Sequence, residues 1–507
     1  MSPKESPELI IGVIGAGSMG RGIAQLCVQA GYRVLLCDTS AEQLAAAQDF
    51  IGKMLNRAAE KGAMSTDQAR AAIERLEPVT GIDRLARCGL IVEAVIETLE
   101  VKQDLFSQLE SIVDDTCVLA TNTSSLSVTA IAARCRRPER AAGFHFFIPA
   151  PLMRLVEVID GVRTSATTIE LLMAVAERIG HTAVRVVDSP GFLVNHAGRG
   201  YLTESLAVLG EGVASHPDID RILLAAGFRM GPFQLMDLTG IDVTHPAMEA
   251  VYQGFYGDPR FRPSGILRRR LQAGLLGRKS GAGWYDYADG AKGGPADEPP
   301  PPTDRPTRVW VGPAEPQRRD ALLGVLKACG AKLDESKTPA GDSLCLLAPL
   351  GSDATSAAVE LAIDPRRAVA IDTLLPLGKR RTIMGTPVTD PNVLHAAHGL
   401  LADDGVPVTV IRDSAGFVAQ RILAMVVNTA CDIAQQRIAT PGDIDLAVTL
   451  GLGYPQGPLA WGDILGPARV LAVLDGMFAA NRDPRYRPSP WLTRRARLGV
   501  SLLTAEP

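Results

Sequence analysis

A parallel α/β domain joined to an all-α domain, with both returning in altered form in the second half, is the fold class that this 507-residue sequence predicts. Three observations carry the prediction. Strand, glycine-rich turn, helix and strand succeed one another from Leu9 to Asp38. Helical periodicity then runs from Gly191 to about Tyr287 with no convincing strand series, and the motifs of that stretch recur near the C-terminus.

The apolar run 9–14 enters Gly15-Ala16-Gly17-Ser18-Met19-Gly20, and Ile23, Cys27 and Ala30 follow at helical spacing until Gly31 stops the helix. A second apolar run, 33–37, ends on Asp38. That order opens a Rossmann-type parallel sheet. Ser40 with Gln43, and Ser65 with Gln68, have capping-box spacing at the starts of alanine-rich helices over roughly 41–60 and 66–76. Further strands are predicted at 90–94, 118–121, 142–147 and 155–159. The first domain spans 8–188 and the helical domain 189–289.

Residues 290–306, GAKGGPADEPPPPTDRP, are nearly all glycine, proline and charge, a composition that forms no core and reads as a linker. A small α/β domain, 307–410, follows with strands at 308–311, 344–347, 369–371 and 408–411 and a helix near 317–329. It has Gly312-Pro313-Ala314 where a dinucleotide turn needs three spaced glycines, so no phosphate site is expected there. The last segment, 411–507, repeats the helical domain. Asp188-Ser189-Pro190-Gly191-Phe192 returns as Asp413-Ser414-Ala415-Gly416-Phe417, an offset of 413 − 188 = 225. Asp218-Ile219-Asp220 and Asp258-Pro259-Arg260-Phe261-Arg262-Pro263-Ser264 return at the same offset, the latter as Asp483-Pro484-Arg485-Tyr486-Arg487-Pro488-Ser489.

Hydrophobic residues at 46% and charged residues at 21% are ordinary for a globular chain, and a net charge of −4 gives no reason to expect nucleic acid as a partner. The eight cysteines lack CxxC pairs, which argues against a zinc site or disulfide framework and for a reducing compartment. No export signal and no apolar stretch of about 18 residues is visible, so no membrane partner and a cytoplasmic location are expected.

A dinucleotide pyrophosphate needs backbone N–H groups at a helix N-terminus and no side chains in its way. Gly15, Gly17 and Gly20 meet that need, with Ser18 and Met19 between them. Asp38 ends the next strand, 38 − 15 = 23 residues on, where a carboxylate accepts from the adenosine ribose hydroxyls and repels a 2′-phosphate. NAD is the cofactor this pattern predicts. Two residues sit oddly for core strands: His145 in Gly143-Phe144-His145-Phe146-Phe147, and Glu157, which shares a face with Leu155 and Ile159. Pattern alone fits two readings, a base-plus-orienter pair or a core histidine beside a strand-end carboxylate.

The stretches GAGSMGRGIA at 15–24, EAVIETLEVKQ at 93–103, NTSSL at 122–126, HFFIPAP at 145–151, LVEVI at 155–159 and SPGFLVN at 189–195 resemble the 3-hydroxyacyl-CoA dehydrogenase family in order and spacing. The resemblance covers residues 9 to about 287 and returns over 411–500. It implies NAD-dependent oxidation of a (3S)-3-hydroxyacyl-CoA to the 3-oxoacyl-CoA, with a small acyl-CoA as the partner molecule. It also implies His145 as general base oriented by Glu157, Ser124 bonded to the reacting oxygen and Asn195 near the substrate carbonyls. Glu97, Lys102 and Asn122 fall where the family lines the cofactor. One position departs: Ile148 stands where the family usually carries asparagine. The long form with a doubled helical domain is similar to enzymes acting on 3-hydroxyadipyl-CoA in phenylacetate breakdown or on 3-hydroxybutyryl-CoA in fatty acid metabolism.

Two other readings remain open at this point: a 6-phosphogluconate-type dehydrogenase, whose signature lysine is not evident, and a non-catalytic NAD-binding protein of the same fold. Because Asn195 corresponds to Gln420 and no second glycine turn or His–Glu pair occurs, one active site per chain is expected. The second helical copy is expected to pack on the first within the chain, which leaves room for a homodimer of the whole.

Overall fold

The computed structural model of the chain describes residues 9–506. Its first sheet has eight strands: β1 (Ile10–Ile14), β2 (Arg33–Cys37), β3 (Leu76–Val79), β4 (Leu90–Glu93), β5 (Val118–Thr121), β6 (Ala141–Phe146), β7 (Leu155–Asp160) and β8 (Thr182–Val187), in the order β3-β2-β1-β4-β5-β6-β7-β8. Every pairing is parallel except β6 with β7. β4, β5 and β6 are buried along their whole length, as strands covered by helices on both faces must be. Helix Ala41–Glu60 begins where the Ser40 hydroxyl accepts from the Gln43 amide, and Ser65 closes a full capping box with Gln68 on helix Thr66–Glu74. That helix ends before the predicted 76 because Leu76 already starts β3.

β3 and β8 escaped the sequence reading for local reasons. β3 is Leu-Glu-Pro-Val, and a proline argues against a strand unless it lies at a sheet edge, which β3 does. β8 alternates weakly and sits against the domain boundary.

The second sheet has six strands: β9 (Arg308–Val311), β10 (Leu333–Asp334), β11 (Ser343–Leu347), β12 (Ala368–Ile371), β13 (Arg381–Gly385) and β14 (Val408–Ile411), ordered β10-β9-β11-β12-β13-β14. Only β12–β13 is antiparallel, as β6–β7 is in the first sheet. It is the first sheet with the equivalents of two strands removed. β13 was missed because it begins with a charged residue: Arg381 is 1% exposed and its guanidinium is paired with Asp404 at 2.6 Å.

By contacts the chain forms two units, one running to Val194 together with Arg437–Leu452, the other holding Asn195–Gln436 and the chain from Gly453. Within the second unit, helices Arg199–Gly210 and Ala419–Gln435 pack along each other and are buried almost throughout. The approach is close enough that a Cβ on Gly200 would lie 2.8 Å from the Met425 carbonyl oxygen. The repeat is a repeat of backbone as well as of sequence: Gly191-Phe192 and Gly416-Phe417 both take positive φ. Asp188 accepts from the Ser127 hydroxyl and the Thr129 amide, while Asp413 accepts from the Ala354 amide and the Thr355 hydroxyl. No helix of the described residues is long and apolar enough to cross a membrane.

Candidate active site

The glycine turn leaves β1 at the carboxyl edge of the sheet, where ligands bind in open α/β folds. Gly15 has φ +100°, and a Cβ there would stand 2.5 Å from the Ala94 oxygen; a Cβ on Gly20 would stand 1.7 Å from the Gly15 oxygen. Those two glycines are required by the protein itself. Gly17 differs, since a Cβ there would meet nothing within 4 Å. Gly17 is also the N-cap of helix Ser18–Gln29, with no side chain capping it and no acid in the first turn. Uncapped first-turn amides behind an open glycine are a cradle for an anion, so the residues present fit a dinucleotide pyrophosphate. Asp38 does more than the sequence implied: its Oδ2 accepts from the Ala16 amide at 2.8 Å and its Oδ1 from the Ser40 amide at 2.9 Å, which locks the turn to β2.

His145 and Glu157 are opposed in register across the antiparallel β6–β7 pair, so their side chains share a face. His145 Nδ1 lies 2.6 Å from Glu157 Oε2. The other oxygen, Oε1, accepts from the amides of Leu193 at 3.0 Å and Val194 at 2.8 Å. A fully buried carboxylate is thus satisfied by three donors, which is what makes its burial tolerable. The two amides were not foreseen, because a backbone donor leaves no trace in residue identity. With Nδ1–H donated to Glu157, the lone pair of the His145 ring lies on Nε2, and no described residue bonds it.

Around this pair the loops after β4 and β5 converge. Asn122 Oδ1 accepts from the Phe146 amide at 2.8 Å, pinning the strand beside His145. Ser124 is exposed and its hydroxyl has no partner among the described residues, while its amide donates to Glu97 Oε1 at 3.0 Å. The same oxygen takes the Thr123 hydroxyl at 2.6 Å and the Ser125 amide and hydroxyl. Burial alone would raise the Glu97 carboxyl. The Thr123 hydroxyl, the Lys102 charge, the Ser124 amide and the Ser125 hydroxyl outweigh it and hold Glu97 below the usual carboxylate range.

Lys102 is 1% exposed, with its ammonium 2.6 Å from Glu93 and 3.3 Å from Glu97. Glu93, itself fully buried and bonded also to the Val95 amide and Thr121 hydroxyl, is the partner the sequence reading missed. Its signal was an acid ending a core strand nine residues before a helical lysine. Asn195 opens the second unit, directly after Val194 in the chain; its carbonyl accepts from Arg199 Nε at 2.8 Å. Ile148 is 66% exposed.

The second sheet carries no such pair. Thr164 Oγ1 bonds the Ala141 carbonyl in the first sheet and Thr389 Oγ1 bonds that of Ala368 in the second, which aligns the strands. Asp372 then stands in the place of His145, with its amide on the Thr382 carbonyl in the place of Glu157. Gln420 closes this region, donating to Asp372 at 3.0 Å and accepting from the Gly351 amide at 2.8 Å, and Arg318 reaches across to the Ala348 carbonyl and Thr373 hydroxyl.

Comparison with known proteins agrees with this geometry. Residues 10–189 match the family model described as 3-hydroxyacyl-CoA dehydrogenase, NAD binding domain, and residues 191–287 and 416–501 match its C-terminal domain. The chain is 38% identical over 496 residues to the 3-hydroxyadipyl-CoA dehydrogenase of Escherichia coli (strain K12), covering 96% of this chain and 97% of that protein. It is 43% identical over 277 residues to a probable 3-hydroxybutyryl-CoA dehydrogenase of Deinococcus radiodurans, 54% of this chain and 99% of that one. The crystal structure of 3-hydroxybutyryl-CoA dehydrogenase from Escherichia coli K12 superposes with a TM-score of 0.84 at 36% identity, covering 97% of this chain and 99% of that one.

Proposed function

This chain belongs to the 3-hydroxyacyl-CoA dehydrogenase family, oxidoreductases that use NAD, and on that premise we propose that it oxidises a short-chain or dicarboxylic (3S)-3-hydroxyacyl-CoA to the 3-oxoacyl-CoA with the His145–Glu157 pair as its base. The observation that carries this is the 2.6 Å contact between His145 Nδ1 and a carboxylate fully buried on three donors. Glu157 holds the imidazole in the tautomer whose Nε2 is basic, and stabilises the imidazolium once the substrate hydroxyl proton has moved there. The Ser124 hydroxyl donates to the reacting oxygen, and Asn195 contacts the substrate carbonyls. NAD, when bound on the glycine turn, supplies the acceptor for the hydride that leaves the carbinol carbon. Gly15, Gly17, Ser18, Met19 and Gly20 hold its pyrophosphate and Asp38 its ribose. Asn122 and Glu97 shape the nicotinamide end, and Lys102 acts there through Glu97.

Replacing His145 by alanine tests the assignment. Turnover is expected to fall by about 10²- to 10⁴-fold while NADH binding stays unchanged; wild-type-like turnover would remove His145 from the mechanism.

The acyl group lies between two named possibilities, a 3-hydroxybutyryl chain and the longer 3-hydroxyadipyl chain with its distal carboxylate. A comparison of kcat/KM for the two CoA esters decides between them, and preference for the dicarboxylate supports a place in phenylacetate breakdown. We further propose one active site per chain, working in the cytoplasm, with the second helical copy taking the part that a partner subunit plays for a single-copy chain. Titration with NADH gives the stoichiometry, and two molecules bound per chain would overturn the single site. Sedimentation of the intact chain reports any homodimer.

A further inference from the structure

The unit that contains the dyad is completed by sixteen residues from the far end of the chain, Arg437–Leu452. Within them helix Pro441–Leu452 buries Ile444, Ala447 and Val448 completely, and with Gly451 these form one stripe at i, i+3, i+4 and i+7. The helix packs on β7 and β8, and the segment leading into it is fastened by the Val187 amide on the Ile438 carbonyl at 2.9 Å. At Gly451 the contact is tight. A Cβ there would lie 2.9 Å from Leu155 Cδ2 and 3.1 and 3.2 Å from the two γ-methyls of Val194.

Both neighbours adjoin Glu157, one along the strand and one through a hydrogen bond. Leu155 precedes it by two on β7 and shares its face. Val194 supplies the shorter of the two amide bonds to Oε1. Glycine in a helix costs about 1 kcal/mol against alanine, so its presence in this stripe calls for a reason, and close approach to Leu155 and Val194 provides one.

The second half of the fold has a matching arrangement without chemistry. There the Arg412 amide at the end of β14 bonds the Val213 carbonyl, and 438 − 213 = 225 and 412 − 187 = 225, the offset of the repeat. The residue 225 positions before Gly451 is alanine, Ala226, and the sheet served carries Asp372 and Thr382 in place of the dyad.

We infer that Gly451 and the helix around it are a positioning element for the active site: the second half of the chain presses on Leu155 and Val194 and so holds Glu157 against His145. The inference rests on the reading of His145–Glu157 as the catalytic pair.

The test is Gly451→Val and Gly451→Ala in the full chain, with Leu450→Ala, an exposed position on the same helix, as the control. Gly451→Val is expected to lower kcat by about ten- to a hundred-fold, the scale of sub-ångström to ångström misplacement, with NADH affinity within about two-fold of wild type. A slacker Glu157 stabilises the imidazolium less, so the acidic limb of the kcat/KM profile moves to lower pH; lost stability alone would not move it. Gly451→Ala shifts both in the same direction by less and carries the test if the valine variant does not fold. Leu450→Ala retains kcat and the profile. A folded Gly451 variant with wild-type kcat and an unmoved limb overturns the inference. If His145→Ala itself keeps wild-type turnover, the underlying reading has failed instead, and the two failures are told apart.

Discussion

Arg421, from the second helical copy, donates through Nε to Glu204 Oε1 of the first copy at 2.8 Å, with both side chains sealed from solvent. The same guanidinium meets Glu211 through both terminal nitrogens, at 2.6 and 2.9 Å, and the Tyr486 hydroxyl at 2.8 Å. In the first copy the positions 225 residues earlier are His196 and Phe261. The tyrosine hydroxyl is present only where an arginine needs it, so the two copies have diverged as a pair.

Removing Arg421 takes from the fully buried Glu204 its shortest cationic partner and leaves it only Arg485 at 3.4 Å and the Tyr486 hydroxyl. Arg421→Ala is therefore expected to destabilise the second unit by about 3–5 kcal/mol, read as a lowered urea midpoint. Arg262→Ala breaks an ion pair with Asp483 whose arginine is half exposed, and should cost no more than about 1 kcal/mol. Equal losses in the two variants would mean that the buried cluster carries no special weight.

The two glycines that bracket Ser18-Met19 should fail differently when changed. Gly17 has φ −66°, which any residue adopts, and faces open space, so Gly17→Val should fold with an unchanged Tm and yet bind NADH at least about ten-fold more weakly. Gly20→Ala puts a methyl into the Gly15 carbonyl and should lower Tm. Calorimetry beside NADH titration separates the two; unchanged NADH affinity in folded Gly17→Val would move the cofactor away from this turn.

What could be read from the sequence follows from where its information lies. The glycine turn, Asp38, the helix caps and the 225-residue repeat are properties of residue type and spacing, and they were legible. His145 and Glu157 were legible as an ambiguity, because period-two alternation places each on a face without telling which strands are neighbours; the antiparallel β6–β7 register supplies that. Lys102 was legible only through the family resemblance, and its buried pairing with Glu93 was not legible, because nothing local sets a strand-end acid against a helical lysine nine residues later. The role of Gly451 was not legible at all, since nothing local connects it to a strand some three hundred residues earlier.

His196 provides a pH test. Its ring is fully buried between Phe255 and Phe261, and neither nitrogen has a partner among the described residues. Burial first, and then the charges of Arg260 and Arg199, push its imidazole down to about 3. The unfolded chain takes up that proton near the ordinary histidine value of 6.5, so the folded state is disfavoured as pH falls from about 6.5 toward 3, by up to about 1.4 kcal/mol per pH unit. In His196→Leu the fall of Tm between pH 6.5 and 4 should be shallower than in the wild type, and parallel curves would show that this histidine does not set the acid limit.

Glu157→Gln gives a sharper probe of the dyad than deletion does. Glu157 Oε1 accepts two amides, from Leu193 and Val194, so a glutamine at this position must turn its carbonyl oxygen toward them. Its NH₂ group then faces His145 Nδ1, which can only accept. The imidazole proton is forced onto Nε2, the atom that must be unprotonated to receive the substrate proton. The fold keeps its hydrogen bonds and the volume is unchanged, so Tm and NADH affinity should stay near wild type while kcat falls by about 10²- to 10⁴-fold. Glu157→Ala loses the same tautomer control and in addition strands the two amides, so it should fall at least as far in kcat and further in Tm. A glutamine variant with near-normal kcat would show that the carboxylate serves only to satisfy Leu193 and Val194, and that His145 needs no orienting partner.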